Sequence, residues 1–360
     1  MKILLIDDEA ENGWKEVIEK VLFNGESIEI AIDVDSAKEQ LNHTKYQMII
    51  LDLRFGEPDH KVTNISKFGG YKILSQEVRS SFNNLNFSTP VLLFTASNKV
   101  WNIMEMIEAG ADDYYIKEHP DTAYDLDFSR KNYFRLKGDS TYKGIINDLL
   151  EIGKKRTEVL ERILEIIDNS KTAISNDNIK LRIEEKLKIG YGLLFRKTTK
   201  IETEKLLFNN EVVAFIVFWS ILEEVSHDYY NRLNETELEW TLKKNNKKVQ
   251  YFDSTGRLFT LFDTVKEEFD NAVAREDLEY AYQVNLSNQI SGILRYQLGW
   301  NHNEIHEYFL KKLNKYRNAI DFIHSSTQTI LCDNLQTNIG SSDGYKKCLQ
   351  ILDFLLTIIK

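Results

Sequence analysis

Near its start the sequence reads KILLIDDE (residues 2–9), a short apolar run that ends on consecutive acidic residues. The run is too short, and is interrupted too soon by acids, to be the core of a signal peptide. Continuous apolar runs of this length are typical of strands that are buried on both faces of a parallel sheet. We therefore predict a strand at Lys2–Ile6 whose carboxyl end carries Asp7 and Asp8.

The first third of the chain repeats this pattern, with short apolar runs alternating with helical periodicity. Further strands are predicted at Ile28–Val34, Tyr46–Leu53, Val91–Thr95 and Asp113–Lys117. Helices are predicted between them at Glu11–Phe23, Asp35–Asn42, Gly69–Ser80 and Val100–Ala109, the last ended by Gly110. Strands and helices that alternate in this way predict an α/β fold with a doubly wound, parallel five-stranded sheet.

Polar side chains occupy the predicted strand ends. Asp7 and Asp8 follow the first strand, Asp52 lies in the third, Thr95 ends the fourth and Lys117 ends the fifth. The carboxyl ends of parallel strands meet at one edge of the sheet, so these groups are expected to share a pocket. Clustered carboxylates repel one another and favour a hard divalent cation such as Mg²⁺. A carboxylate beside Mg²⁺ can attack a phosphoryl group, while an ammonium and a hydroxyl hold the phosphoryl oxygens.

At these residues the chain resembles the receiver domain of bacterial two-component response regulators, over about residues 1–155. The matching stretches are Leu4–Glu9, Ile50–Leu53, Phe94–Ala96 and Ala109–Lys117, in the family's order. The resemblance implies a flavodoxin-like fold and a histidine kinase or phosphotransfer protein as partner. A receiver-like domain that never accepts phosphate, and a doubly wound domain with incidental acids, are the alternatives.

The resemblance also implies a role for each residue of this edge. Asp52 is the expected phosphoacceptor. Asp7 and Asp8 are expected to bind Mg²⁺ together with Asp52 and the backbone carbonyl of Arg54.

Two further residues are expected to bind the phosphoryl group, Thr95 and Lys117. Tyr114 is expected to be an aromatic switch that turns inward with Thr95. The family usually has proline directly after the lysine, whereas Glu118-His119-Pro120 follow here. The loop after Asp52 is also longer than usual, and its role stays open.

Composition divides the chain in two. A chain of 360 residues is long enough for about two domains. All three prolines, Pro58, Pro90 and Pro120, lie in the first third, so the rest is free to be helical. We predict a receiver domain at residues 1–155, a helical linker at 156–200 and an all-helical effector domain, a bundle, at 201–360.

Charge and cysteine content exclude several classes of protein. The net charge of −10 disfavours a general nucleic-acid or membrane-surface binder. Two cysteines are too few for a disulfide scaffold or for a zinc site of four thiolates. No apolar stretch approaches the roughly 20 residues of a membrane span, and we expect a cytoplasmic protein.

The effector domain has one candidate site, on a predicted helix at residues 309–324. Its predicted core stripe is Phe309, Leu313, Tyr316, Ile320 and Ile323. Arg317 and His324 are seven residues apart and therefore project from one face of a helix. Arg317-Asn318 followed by His324 resembles the Arg-x(4–6)-His motif of HEPN domains, which are helical, commonly dimeric and often metal-independent ribonucleases.

That resemblance implies an RNA-cleaving site. His324 would move protons and Arg317 would brace the phosphate, with Asn318 beside them. Glu223, on a helix predicted at Val212–Leu233, is a possible accessory acid. The motif is short, and Arg54 with His60 and Arg295 with His302 also match it.

The sequence thus predicts a response regulator that switches an effector domain through phosphate on Asp52. The effector is expected to bind or cleave RNA and to form a homodimer, and whether it is an enzyme stays open. The alternative is a non-catalytic protein-interaction or dimerisation module. A DNA-binding transcription regulator is disfavoured because no convincing helix-turn-helix occurs.

Overall fold

The computed structural model describes residues 2–22, 28–55, 63–96, 99–117, 142–195, 210–229, 286–296, 298–318 and 341–360. The chain divides into two compact units, Met1–Leu160 and Glu161–Lys360. Among the described residues, none of the helices combines the length and the hydropathy that crossing a membrane requires.

The first unit is built on a parallel five-stranded sheet. Its strands are β1 (Ile3–Ile6), β2 (Glu29–Ala31), β3 (Met48–Leu51), β4 (Val91–Thr95) and β5 (Asp113–Ile116). They are ordered β2-β1-β3-β4-β5 and every neighbouring pair is parallel. This is the flavodoxin-like strand order, and it confirms the predicted sheet.

Helices cover both faces of the sheet. The helices of this unit are α1 (Trp14–Leu22), α2 (Val34–His43), α3 (Gly69–Lys72), α4 (Val100–Glu108) and the first turns of α5 (Tyr142–Ala173). Short 3₁₀ turns occur at Ala10–Asn12 and Ile65–Lys67.

Alternate strand residues pack into two separate cores. Leu4 and Ile6 of β1 belong to the core that α2, α3 and α4 cover, whereas Ile3 and Leu5 belong to the core that α1 and α5 cover. Side chains of a strand point alternately to its two faces, and a fully apolar strand therefore needs helices on both. The unbroken apolar runs of the sequence are explained by this burial.

The boundaries of several helices and strands depart from the predictions; for example, α1 begins at Trp14 rather than at Glu11. The helix predicted at Gly69–Ser80 is α-helical only as far as Lys72 and continues as a π-helix at Ile73–Val78. Strand β2 ends at Ala31 rather than at Val34, because Asp33 caps α2. The Asp33 carboxylate accepts from the Ser36 N–H, and the Ser36 hydroxyl accepts from the Asp33 N–H.

The described part of the second unit is helical. It contains the rest of α5, α6 (Asp177–Phe195), α7 (Asn210–Trp219), α8 (residues 221–229), α9 (Leu286–Tyr296) and α11 (Ser341–Ile358). Between α9 and α11 lies α10, which is α-helical at His302–Glu304, π-helical at Ile305–Asn314 and α-helical again at Lys315–Asn318.

Two features of this unit differ from the predictions. The helix predicted at Val212–Leu233 is interrupted at Ser220, whose hydroxyl donates to the Val217 carbonyl, a side-chain bond that bends helices. In α10, Phe309 and Leu313 are buried as predicted. Tyr316 is only partly buried, and the predicted stripe residues 320 and 323 lie outside the described residues.

The core of the second unit is aromatic. The Phe309 ring stacks between Trp219, at 5.8 Å, and Phe354, at 5.2 Å, which joins α7, α10 and α11. Helix α6 approaches α7 closely at Gly190, where an added Cβ would lie 2.2 Å from the Phe218 ring. Such close packing requires glycine at that position.

Candidate functional site

The backbone of the sheet brings the predicted site residues to one edge. Asp7 and Asp52 each follow the last residue of their strand, and the Asp52 N–H donates to the Ile6 carbonyl at 2.8 Å. Lys117 follows β5, and its N–H donates to the Thr95 carbonyl at 2.8 Å. Each residue is thus fixed by a hydrogen bond that continues the sheet beyond the strands.

Three carboxylates converge at this edge. One oxygen each of Asp7, Asp8 and Asp52 lies within 4.8 Å of the others. Asp7 is fully buried and Asp52 is 9% exposed, whereas Asp8 is more accessible. These hard oxygen donors suit Mg²⁺, which binds few protein carboxylates and keeps several waters.

Lys117 pairs with two of these carboxylates. Its Nζ donates to Asp7 Oδ2 at 2.6 Å and to Asp52 Oδ2 at 2.9 Å. The ammonium also lies 5.5 Å from the centre of the Trp14 ring and 5.1 Å from that of Phe94. The side chain is 5% exposed, so solvent screens these interactions little.

Burial dominates the electrostatics of the site. Burial and the neighbouring Asp7 carboxylate raise the pKa of Asp52 to about 6, although the Lys117 ammonium opposes the rise. Burial alone would lower the pKa of Lys117, but the carboxylates of Asp52 and Asp7 hold it above its usual value. The buried Asp52 carboxylate is therefore incompletely compensated by one lysine, and further positive charge would stabilise it.

Glycine allows the chain to pass close to Asp52. A Cβ on Gly70 would lie 2.1 Å from the Asp52 carbonyl oxygen and 2.9 Å from the Leu53 Cα. The Gly70 N–H donates to the Leu53 carbonyl at 3.1 Å, and the Leu53 N–H donates to Asp52 Oδ1 at 2.6 Å. Helix α3 thus packs directly against the turn that orients the Asp52 side chain.

The remaining predicted residues of this edge lie nearby. Thr95 is buried at the end of β4. The Arg54 guanidinium carbon lies 4.7 Å from the centre of the Phe68 ring. Tyr114 is partly buried and packs on the core that α2, α3 and α4 cover.

Sequence reasoning missed a buried ion-pair network around Asp112. Arg156 Nη2 lies 2.6 Å from Asp112 Oδ1, and Arg79 Nη2 lies 3.1 Å from Asp112 Oδ2. The Val91 N–H also donates to Asp112 Oδ2 at 2.8 Å. Burial would raise the pKa of Asp112, but Arg156 and Arg79 hold it below its usual value.

Sequence reasoning also gave no role to Trp14. Its ring meets Phe94 edge-on at 5.0 Å and encloses the Lys117 ammonium on that side. A tryptophan at the start of the helix that follows Asp7-Asp8-Glu9 was the available signal.

The predicted site of the second unit is only partly described. Arg317 lies in the last α-helical turn of α10 and is partly buried. Asn318 ends that helix, and His324 lies outside the described residues. Glu223 is exposed on α8, while its neighbour Glu224 pairs with Arg182 and Lys186.

The pairing of Arg317 with His324 therefore stays a prediction, as does the accessory role of Glu223. The other Arg–His matches extend beyond the described side chains as well.

The sequence matches no protein-family model and no curated protein. Among solved structures, it is similar to the receiver domain of the Francisella response regulator 1452, at 20% identity and a TM-score of 0.28, over 43% of this chain and 97% of that one. A CheY-like receiver domain protein from Methanospirillum hungatei matches at 17% identity and a TM-score of 0.29, with the same coverage.

A third similar structure is the receiver domain of the sensor histidine kinase PA1611 from Pseudomonas aeruginosa, with a magnesium ion in its active-site cleft. It matches at 24% identity and a TM-score of 0.26, over 33% of this chain and 85% of that one. The strand order of the sheet, rather than these similarities, defines the fold of the first unit. The first unit has a flavodoxin-like sheet, and the three solved structures named above are receiver domains.

Proposed function

We propose that the first unit is a phosphoacceptor domain of a two-component response regulator, with Asp52 as the residue that accepts the phosphoryl group. The observation that carries the proposal is the contact of Lys117 Nζ with Asp7 and Asp52, beside an oxygen of Asp8. A nucleophilic carboxylate, further acidic oxygens and a buried ammonium are the groups that phosphoryl transfer to aspartate needs.

The donor in this proposal is a phosphohistidine of a histidine kinase or phosphotransfer protein. An Asp52 carboxylate oxygen attacks the phosphorus, the new O–P bond forms as the P–N bond breaks, and the histidine nitrogen keeps the electron pair. Asp52 reacts as the carboxylate, and a pKa of about 6 leaves most of it ionised at neutral pH. In this proposal the Lys117 ammonium then forms an ion pair with the phosphoryl oxygens, and the Thr95 hydroxyl donates a hydrogen bond to one of them.

The carboxylates of Asp7, Asp8 and Asp52, together with the backbone carbonyl of Arg54, are the groups that would hold Mg²⁺. Bound there, the cation supplies positive charge that offsets the charge of the phosphoryl oxygens. Burial is the main cause of the raised pKa of Asp52, and positive charge bound beside the carboxylate would lower it.

Intact-mass measurement after incubation with acetyl phosphate and Mg²⁺ tests the proposal. We expect the wild-type chain to gain one phosphoryl group that hydroxylamine removes, as an acyl phosphate should. The Asp52→Asn variant should gain none, while Asp168→Asn, at an exposed carboxylate of α5, should behave as wild type. No uptake by the wild type, or equal uptake by Asp52→Asn, would contradict the proposal and favour a receiver-like domain without phosphate.

We further propose that the second unit is the output of the regulator. In the HEPN-like form of this proposal, Arg317, Asn318 and His324, with Glu223 as an accessory acid, bind or cleave RNA. The basic character of α10 around Arg317 supports it. The alternative output is a protein-interaction or dimerisation module, and a DNA-binding regulator is less favoured.

Ribonuclease assays on wild type, Arg317→Ala and His324→Ala separate these outputs. Cleavage that both substitutions abolish supports the catalytic form. Activity that is absent from the wild type, or unchanged in both variants, supports the non-catalytic form. Sedimentation of the full chain tests the proposed homodimer.

A further inference from the structure

Lysines concentrate on two neighbouring helices of the second unit. They form what we call the basic face: Lys311, Lys312 and Lys315 of α10, and Lys346 and Lys347 of α11. All are exposed except Lys347, which is partly buried. This concentration of positive charge occurs in a chain whose net charge is −10.

Direct contacts join the two helices at this face. Lys347 Nζ donates to the Lys312 carbonyl at 3.2 Å and lies 5.3 Å from the centre of the Tyr316 ring. Lys347 of α11 is therefore held beside Lys312 of α10.

An exposed aromatic ring borders the basic face. Tyr308 is 55% exposed, and Lys312 Nζ lies 4.5 Å from the centre of its ring. The Trp300 ring, just before α10, meets the Tyr308 ring edge-on with 6.1 Å between their centres. The ring is thus fixed beside the lysines while much of its surface stays accessible.

Among the described side chains, one acidic group pairs directly with a lysine of the basic face. Glu307 pairs with Lys311 at 3.1 Å, but both side chains are about half exposed. Exposed pairs of this kind contribute little and exchange readily with a competing anion. Among the described residues of α9, which packs against α10, there is no acidic side chain.

We propose that the basic face binds the phosphate backbone of single-stranded nucleic acid and that Tyr308 stacks on one of its bases. Lysines that contact phosphates release condensed counterions, which drives binding independently of sequence. An accessible ring offers a stacking surface to an unpaired base, whereas a duplex keeps its bases stacked internally. This inference deepens the output half of the proposed function and rests on it, because it gives the second unit a ligand.

Fluorescence anisotropy with the full unphosphorylated chain tests the inference. The probes are a labelled oligouridylate, an oligothymidylate and a DNA duplex, titrated at several salt concentrations, with polyglutamate as competitor. We compare the wild type with Lys311→Gln/Lys312→Gln/Lys315→Gln. The matched control is Lys171→Gln/Lys180→Gln/Lys188→Gln, which removes the same charge from α5 and α6 of the same unit.

The neutralised basic face should bind the single strands about tenfold or more weaker at low salt, and its slope of log affinity against log salt should fall by about 2. The control should bind as wild type. Lys311→Arg/Lys312→Arg/Lys315→Arg should retain binding, because it keeps the charge, and Tyr308→Ala should weaken binding to both strands. Preference for one strand would identify its source as RNA or DNA.

Several results would overturn the inference: no binding by the wild type, equal loss in the control, failure of the arginine variant to bind, or polyglutamate displacing the oligonucleotide at equal charge concentration. The last would indicate an acidic protein as partner. Repeating the titration with Asp52→Asn keeps the two proposals separable. Binding of single-stranded nucleic acid without phosphate uptake would contradict only the phosphoacceptor proposal. Phosphate uptake without nucleic-acid binding would contradict only the proposal for the basic face.

Discussion

Lys117 Nζ lies 2.9 Å from Asp52 Oδ2, so the carboxylate that we propose as phosphoacceptor is already paired with a cation. The ammonium neutralises part of the buried charge of Asp52, and in our proposal it also contacts the phosphoryl oxygens after transfer. It also competes with any divalent cation for the same oxygens. We therefore expect this side chain to favour phosphoryl transfer and to weaken metal binding.

This dual role predicts opposite effects for Lys117→Gln. Loss of the ammonium should slow phosphate uptake about tenfold or more, because it removes charge that stabilises the transferring group. It should also tighten Mg²⁺ binding several-fold, since a competing cation is gone. Intact-mass kinetics and calorimetric titration measure the two effects. Lys72→Gln, at an exposed lysine of α3, is the control, and a Lys117 variant with unchanged uptake would show that the ammonium has no part in transfer.

The contact between α3 and the Asp52 turn predicts that Gly70→Ala perturbs the site. An added methyl must displace the Asp52 carbonyl or the helix, and overpacking of this kind typically costs about 1–3 kcal/mol of the free energy of unfolding. Mg²⁺ affinity should fall in the same variant. Gly192→Ala in α6, where a Cβ meets nothing within 4 Å, should be neutral or stabilising by up to about 1 kcal/mol. Urea denaturation compares the two; equal stability would refute the steric argument.

The position of Trp14 predicts a fluorescence signal from the site. Its ring lies 5.5 Å from the Lys117 ammonium, so a change in charge at the carboxylates should alter its emission. We expect Mg²⁺ with beryllofluoride to change the fluorescence of the wild-type chain and most of that change to vanish in Trp14→Phe. The Trp101→Phe variant, which replaces a ring 61% exposed on α4, should keep it. A signal that survives Trp14→Phe would place its origin elsewhere.

The network around Asp112 predicts a large loss of stability in Asp112→Asn. Removing the carboxylate leaves two buried guanidinium groups without their shared partner, a loss of about 3–5 kcal/mol. Asp113→Asn, at the adjacent and more exposed carboxylate, should lose less.

The same network predicts a pH dependence. The pKa of Asp112 is lower in the folded chain than its usual value, so its contribution is fully present above about pH 4 and is lost as the pH falls through the folded pKa. The stability gap between wild type and Asp112→Asn should therefore narrow below about pH 4. Urea denaturation at neutral and acidic pH checks both statements, and a gap that stays constant with pH would show that folding does not lower the pKa of Asp112.

The sheet and its acidic edge could be predicted because both follow from local sequence. Apolar runs of strand length specify buried parallel strands, and parallel strands bring residues such as Asp7 and Asp52 together whatever lies between them. The Asp112 network could not be predicted in this way. Its partners Arg79 and Arg156 come from distant segments, and no periodicity encodes their meeting.

The π-helix at Ile73–Val78, which continues α3, and the π-helical part of α10 were also beyond prediction. A stripe such as Phe309 and Leu313, four residues apart, fits an α-helix and a π-helix equally well. An α-helix and a π-helix have different numbers of residues per turn. The faces on which Arg317 and Lys312 lie therefore depend on which type of helix α10 adopts. Spacing alone therefore could not fix the faces of this helix.

The contacts of Asp112 also indicate how long a fragment of the first unit must be to fold by itself. Its carboxylate, in the turn before β5, forms an ion pair with Arg156 on α5 and so links the end of the sheet to that helix. A fragment that stops after β5 would retain the buried acid but lose one of its two counter-charges, together with Ile146 and Leu149, which cover one face of the sheet. The shortest fragment of the first unit that we expect to fold by itself therefore extends through Leu160, well past the last strand.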